Sequence, residues 1–166
     1  YTDTFYERCF IMIAIVDYGA GNIFSVKNAL DYLGVESVLT SDAEVIRAAD
    51  KIILPGVGAF PWAMKKLNES GLVDTIKEQA KIKPFLGICL GMQLIFEKGY
   101  EFEETEGLGL IKGSVKKLDR PDMIIPHMGW NRLEVTNDSK ILEGIDNEYF
   151  YFVHSYHVIP DDDDRG

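Results

Sequence analysis

The chain is poor in cysteine and in positive charge, and it lacks any long apolar run. Its two cysteines, Cys9 and Cys89, make no disulfide framework, and neither stands in a metal-ligand spacing. No metal or cofactor is therefore expected. Lys and Arg number 17 against 27 Asp and Glu, a formal net charge of -10. That balance disfavours nucleic acid and anionic membrane as partners, since both call for positive charge. No apolar stretch is long enough to span a bilayer. Residues 1–10 mix polar and aromatic side chains, without the basic-then-apolar order of a secretory signal. Sparse cysteine with no such signal points to a reducing cytoplasm. The sequence also lacks the G-x-G-x-x-G spacing and a P-loop lysine. Asp17-Tyr-Gly-Ala-Gly-Asn22 is accordingly read as a tight turn with an exposed Asn22 at an interface, and not as a phosphate loop.

What is present is an ordinary globular composition, 46% hydrophobic and 27% charged, long enough for one domain with a real core. The core pattern begins abruptly at Ile11-Met-Ile-Ala-Ile-Val16, which places one α/β domain over residues 11–166 and makes residues 1–10 an N-terminal extension. In that reading Met12 is a candidate start and Cys9 is incidental. Ile11–Val16 is a continuous β-type run, as a strand buried on both faces requires. A helix is expected over Asn22–Leu33, with Gly34 just past its end. A short strand at Ser37–Leu39 follows, then a helix capped by Ser41 or Asp42 and running through Ala48. Lys51–Leu54 is a strand, Phe60–Leu67 a helical stripe ended by Gly71, and Leu72–Gln79 a further helix. The strand Phe85–Ile88 and the helix Leu90–Glu97 complete an alternating series. Such alternation implies a parallel sheet covered by helices on both sides. Beyond Tyr100 the character changes. Glu101–Glu106 reads as a solvated acidic loop, and Asp161–Asp164 as a turn or frayed end. Gly109–Leu118, Asn131–Val135 and Tyr149–Val158 read as β segments of a β-rich second half.

Chemistry concentrates in Pro84-Phe-Leu-Gly-Ile-Cys-Leu-Gly-Met-Gln93. An apolar run ends in Gly87-Ile-Cys-Leu-Gly91, the Gly-x-nucleophile-x-Gly spacing of a strand-to-helix elbow. A sharp turn exposes the central side chain, and the glycines permit close packing around it. The competing reading is a packed core cysteine. A thiol attacking a carboxamide creates an oxyanion, which needs preorganised N–H donors. The Leu90 amide is one candidate, and an amide within Gly56–Gly58 of the Pro55-Gly-Val-Gly58 loop is the other. Read alone, that loop is an ordinary βα turn. The histidines, His127, His154 and His157, read as structural. His154 and His157 stand three apart on one expected strand, hence on opposite sides. Tyr149–Val153 reads as core or interface.

Together these segments resemble the class I glutamine amidotransferases, glutaminases with a Cys nucleophile in a triad. Within that family, Asp17–Ile23, Pro55–Phe60, Pro126-His-Met-Gly-Trp-Asn131 and Tyr151-Phe-Val-His-Ser-Tyr156 resemble the glutaminase subunits of imidazole glycerol phosphate synthase, of histidine biosynthesis. The resemblance implies a flavodoxin-like α/β fold and hydrolysis of glutamine to glutamate and ammonia through a Cys89 glutamyl thioester. It implies oxyanion contacts from Val57 and Leu90, a glutamine pocket lined by Gly58 and Gln93, and Ser155 and Tyr156 at the amino-acid end. It further implies a cytoplasmic heterodimer that passes ammonia to a (β/α)8-barrel cyclase partner, with Asn22, Trp130 and Tyr151 near the interface. The family's base and orienting acid come from a His-Pro-Glu segment, which residues 1–166 do not contain. The expectation is a piece of a longer protein. The alternatives are a catalytically inactive binding or regulatory module, and a different cysteine hydrolase using His154 or His157 as base.

Overall fold

The structure, a computed structural model, describes residues 11–121, 124–136 and 139–161. Cys9 and the run Asp162–Asp164 fall outside them. Four strands, β1 (Ile13–Val16), β2 (Ser37–Thr40), β3 (Lys51–Gly56) and β4 (Phe85–Cys89), form a sheet in the order β2-β1-β3-β4. Every pairing in it is parallel. The order matches the start of the flavodoxin-like arrangement, in which the chain reverses direction of growth between β1 and β3. β1 and β3 are apolar runs buried over most of their length, as covered inner strands are. β4, also expected as a buried strand, instead ends the described sheet and leaves Leu86, Ile88 and Cys89 exposed. Ala14, Ile15, Val16 and Leu54 expose no surface.

The helices are α1 (Ile23–Tyr32), α2 (Ala43–Ala48), α3 (Phe60–Glu69), α4 (Val73–Gln79) and α5 (Leu90–Leu94). Local chemistry sets their ends. Asp42 caps α2 by accepting from Glu44 N at 2.8 Å, and Asn22 caps α1 by accepting from Ser25 N at 3.3 Å. Gly34 and Gly71 follow α1 and α3 in the left-handed conformation, φ 69° and 72°. Helix α3 buries Phe60, Ala63, Met64 and Leu67, the spacing of one helical face.

The helix expected over Leu90–Glu97 ends at Leu94, and Phe96 starts β5 (Phe96–Gly99). The reason is competition for its last carbonyls. Leu94 O accepts from Leu108 N at 2.8 Å, Ile95 O from Leu110 N at 2.8 Å and Phe96 O from Gly109 N at 3.0 Å. Strands β6 (Thr105–Glu106), β7 (Ile111–Lys117), β8 (His127–Arg132), β9 (Tyr149–His154) and β10 (Tyr156–Pro160) follow. One sheet runs β10-β7-β5-β6, and β8 with β9 makes an antiparallel ribbon. The strand expected at Asn131–Val135 therefore lies earlier. The segment expected as one strand over Tyr149–Val158 divides at Ser155, where Leu118 N donates to Ser155 O at 2.9 Å. His154 and His157 thus stand on different strands, not on two sides of one.

The molecule divides into two compact units. Of the described residues, one holds 11–115 and 158–161, and the other holds those between 116 and 157.

Two glycines separate backbone freedom from space. A methyl at Gly34 meets nothing within 4 Å but is strained by φ +69°, whereas one at Gly99 would lie 2.7 Å from the Phe60 ring. Gly34→Ala is expected to cost about 1 kcal/mol and Gly99→Ala about 3 kcal/mol in urea unfolding. The reverse order would contradict this packing.

Candidate active site

Cys89 closes β4 and immediately precedes α5, with φ 54° and ψ -116°. A side chain held at positive φ costs on the order of 1–3 kcal/mol and persists only where its surroundings impose it. Here the surroundings are backbone. A Cβ on Gly91 would sit 1.8 Å from Leu54 O, one on Gly56 2.6 Å from Gly91 N, and one on Gly87 2.5 Å from Met92 Cα. The first turn of α5 therefore lies directly on β3 and β4, and the chain can enter it only through a sharp bend. The bend leaves Cys89 exposed as a free thiol. It is the strained, outward-facing elbow that the Gly-x-Cys-x-Gly spacing calls for, and not a packed core cysteine.

Register brings the second glycine-rich loop to it. Along β3 and β4, Pro55 pairs with Ile88 and Gly56 with Cys89. The turn after β1 completes the group. Tyr18, 4% exposed, donates its hydroxyl to Pro55 O at 3.1 Å. A Cβ on Gly21 would stand 3.5 Å from Gly56 N. Burial pushes the Tyr18 hydroxyl up to about 12. The turns at 17–21, 55–58 and 87–91 thus meet at the carboxyl ends of β1, β3 and β4, beside the switch point where open α/β sheets bind ligands.

The loop after β3 is pinned at both ends and open between them. Val57 is exposed, and Gly58 has φ +99° with only Trp62 near, at 3.9 Å from an added Cβ. At the far end Ala59 gives α3 no side-chain cap, and Phe60 N donates instead to Glu101 Oε2 at 2.7 Å. Glu101 belongs to the segment expected as a solvated acidic loop. No local signal marks it, because its partner is a backbone N–H 41 positions away. Leu90, buried, opens α5, and its N–H belongs to the first turn, which has no intrahelical acceptors. Gln93 is buried one turn further on.

The first unit thus gathers Cys89, Leu90, Gln93, Val57 and Gly58, and also contains Asn22. The second unit holds the others. Trp130 and Tyr151 pair across β8 and β9 with ring centroids 5.5 Å apart, both exposed. Ser155 is the bend between β9 and β10, and Tyr156 opens β10. His154 engages both ring nitrogens, Nε2 with His127 Nδ1 at 3.1 Å and Nδ1 with Tyr156 O at 2.9 Å, as a structural histidine does. Among the described residues no group of three or more His, Cys, Asp or Glu side chains is placed to hold a metal, and no helix is long and apolar enough to cross a membrane.

The strained, exposed cysteine turn and the parallel sheet define an α/β protein of flavodoxin-like fold. The chain belongs to the class-I glutamine amidotransferase family, whose model, described as glutamine amidotransferase class-I, matches residues 14–166. Its relatives include the imidazole glycerol phosphate synthase subunit HisH of Sulfurimonas denitrificans, 52% identical over 158 residues, 92% of this chain and 76% of that protein. HisH of Listeria monocytogenes is 50% identical over 149 residues, 89% of this chain and 72% of that protein. HisH 1 of Methanococcus maripaludis is 51% identical over 158 residues, 92% of this chain and 77% of that protein. The chain thus spans about three quarters of these relatives. Among solved structures, PurLQS from Thermotoga maritima has a similar fold, with TM-score 0.68 and 22% identity over 92% of this chain and 70% of that one. A crystal structure titled glutamine amidotransferase gives TM-score 0.66 and 21% identity over 86% of this chain and 71% of that one.

Tyr18 makes the packing of these turns sensitive to alkali. Its hydroxyl titrates near 10 when unfolded and about 12 in the fold, so the neutral form is favoured by folding. That contribution is complete below about pH 10 and is lost as pH rises through about 12. In urea unfolding across that window, Tyr18→Phe is expected to lose about 2 kcal/mol less stability than the unaltered protein. Identical alkaline profiles would contradict a buried hydroxyl.

Proposed function

We propose that this chain is the glutaminase subunit of an imidazole glycerol phosphate synthase, acting in the cytoplasm as a heterodimer with a (β/α)8-barrel cyclase. The supporting observation is the left-handed elbow at Cys89, paired in register with Gly56, in a chain about half identical to HisH proteins. Cys89 Sγ attacks the side-chain carboxamide carbon of glutamine. The oxyanion of the tetrahedral adduct is met by the Leu90 N–H and by the Val57 N–H, the latter after its peptide turns. The C–N bond breaks, ammonia leaves with the proton it gains, and a glutamyl thioester remains on Cys89. Water adds to the thioester, and glutamate departs as the thiol is restored. Gly58 and Gln93 line the pocket, and Ser155 and Tyr156 hold the amino-acid end of the substrate. No cofactor takes part. The proton transfers call for a His-Pro-Glu segment, which residues 1–166 do not hold.

Ammonia protonates in water and then ceases to be a nucleophile, so its transfer favours a docked interface that excludes solvent. Asn22, Trp130 and Tyr151 supply that interface in this reading, and the exposure of the paired Trp130 and Tyr151 rings supports it. The alternative reading is an amidotransferase-like module that binds the synthase without turnover.

The test is glutamine hydrolysis measured with the cyclase partner. Turnover stimulated by the partner, and reduced at least a thousandfold or so by Cys89→Ala, is expected. Undiminished turnover in Cys89→Ala would sink the proposal. Partner binding without any turnover would favour the inactive module.

A further inference from the structure

The β8–β9 ribbon has two unlike faces. Trp130 and Tyr151 project from one, and His127, Asn131, Phe152 and His154 share the other. On the second face the side chains form a continuous hydrogen-bonded series: Asn131 Nδ2 with His127 Nε2, His127 Nδ1 with His154 Nε2 at 3.1 Å, and His154 Nδ1 with Tyr156 O at 2.9 Å. Phe152 stacks on the His127 ring, 5.6 Å between centroids and 29° between planes.

The direction of every bond follows from the last one. A carbonyl oxygen only accepts, so His154 Nδ1 carries its proton and donates to Tyr156 O. The Nε2 of a neutral His154 is then an acceptor, and His127 must donate to it from Nδ1. His127 Nε2 is left as an acceptor for the Asn131 amide. Each histidine is thereby confined to its Nδ1–H tautomer, and the series ends on the backbone where β9 gives way to β10. The adjoining carbonyl is fixed too, since Ser155 O accepts from Leu118 N at 2.9 Å. The two carbonyls of the Ser155–Tyr156 segment are therefore held by partners that turn its peptides to defined directions. In a trans peptide the Tyr156 N–H points opposite to Ser155 C=O, so this anchoring also aims that donor.

We infer that His154 is a positioning residue for glutamine binding: through Nδ1 it orients the Ser155–Tyr156 backbone, and His127 with Asn131 hold it in the tautomer that can do so. The inference rests on the proposed role of Ser155 and Tyr156 at the amino-acid end of glutamine. It adds a residue and a proton arrangement that the proposed chemistry leaves unused.

Two substitutions separate the bonds of one ring. Asn at position 154 places an amide N–H where Nδ1 stood, and Gln places its polar end where Nε2 stood. His154→Asn keeps the bond to Tyr156 O and loses His127, whereas His154→Gln keeps His127 and loses Tyr156. Both remove the same ring packing, so a merely structural histidine would show equal effects. The readout is the glutamine concentration that half-protects Cys89 from alkylation by iodoacetamide, followed by mass spectrometry of the Cys89 peptide, with thermal stability alongside. His154→Gln is expected to raise that concentration about fivefold, the worth of one hydrogen bond, while His154→Asn stays within about twofold and both lose similar stability. Two-bond proton–nitrogen correlation spectra of the unaltered protein should show the Nδ1–H tautomer at both His127 and His154. Equal shifts in the two variants, no shift in either, or an Nε2–H tautomer at His154 would overturn the inference. If glutamine fails to protect Cys89 even in the unaltered protein, the glutaminase reading itself falls, whatever the tautomers are.

Discussion

The absence of a side chain at Gly91 governs the site. An added Cβ would lie 1.8 Å from Leu54 O, so the first turn of α5 rests on the backbone of β3 with no side chain between. Once that contact is made, the chain has little room to pass from strand to helix, and Cys89 takes φ 54°. The strain is offset by apolar burial around it: Leu54 and Leu94 are fully buried and Leu90 is 2% exposed. Buried apolar contacts below the bend therefore hold a polar, exposed and strained residue above it.

The loop after β3 follows a related logic. Its first end is tied by Tyr18 to Pro55 O and by the glycine contact between Gly56 and Gly91. Its other end is tied by Glu101 to the N-terminus of α3. Between them Val57 is exposed and Gly58 occupies open space at positive φ, so a peptide there can turn while both ends stay fixed. That is what an oxyanion donor needs if it is to be assembled only when substrate is present. The second unit shows the same economy, fixing the Ser155–Tyr156 carbonyls by bonds from Leu118 and His154.

Much of the first unit was legible in the sequence because its determinants are local. Apolar runs gave the parallel strands, Asp42 and Asn22 gave helix starts, and Gly34 and Gly71 gave helix ends. Cys89 was legible because flanking glycines are what an elbow demands. The rest depends on partners remote in sequence. Helix α5 stops early because residues 108–110 occupy its last carbonyls. The strand break at Ser155 depends on Leu118, and Glu101 acts on Phe60. The partners of His154 could not be named before β8 was paired with β9. Composition and periodicity carry no record of such pairings.

The central claim is that the elbow presents Cys89 to a glutamine side chain. Covalent trapping with 6-diazo-5-oxo-norleucine, a glutamine-shaped diazoketone, tests it most directly. Peptide mass spectrometry should find one adduct, on Cys89, whose formation slows as glutamine is added. Labelling that ignores glutamine, or that falls on another residue while Cys89 stays free, would contradict the claim.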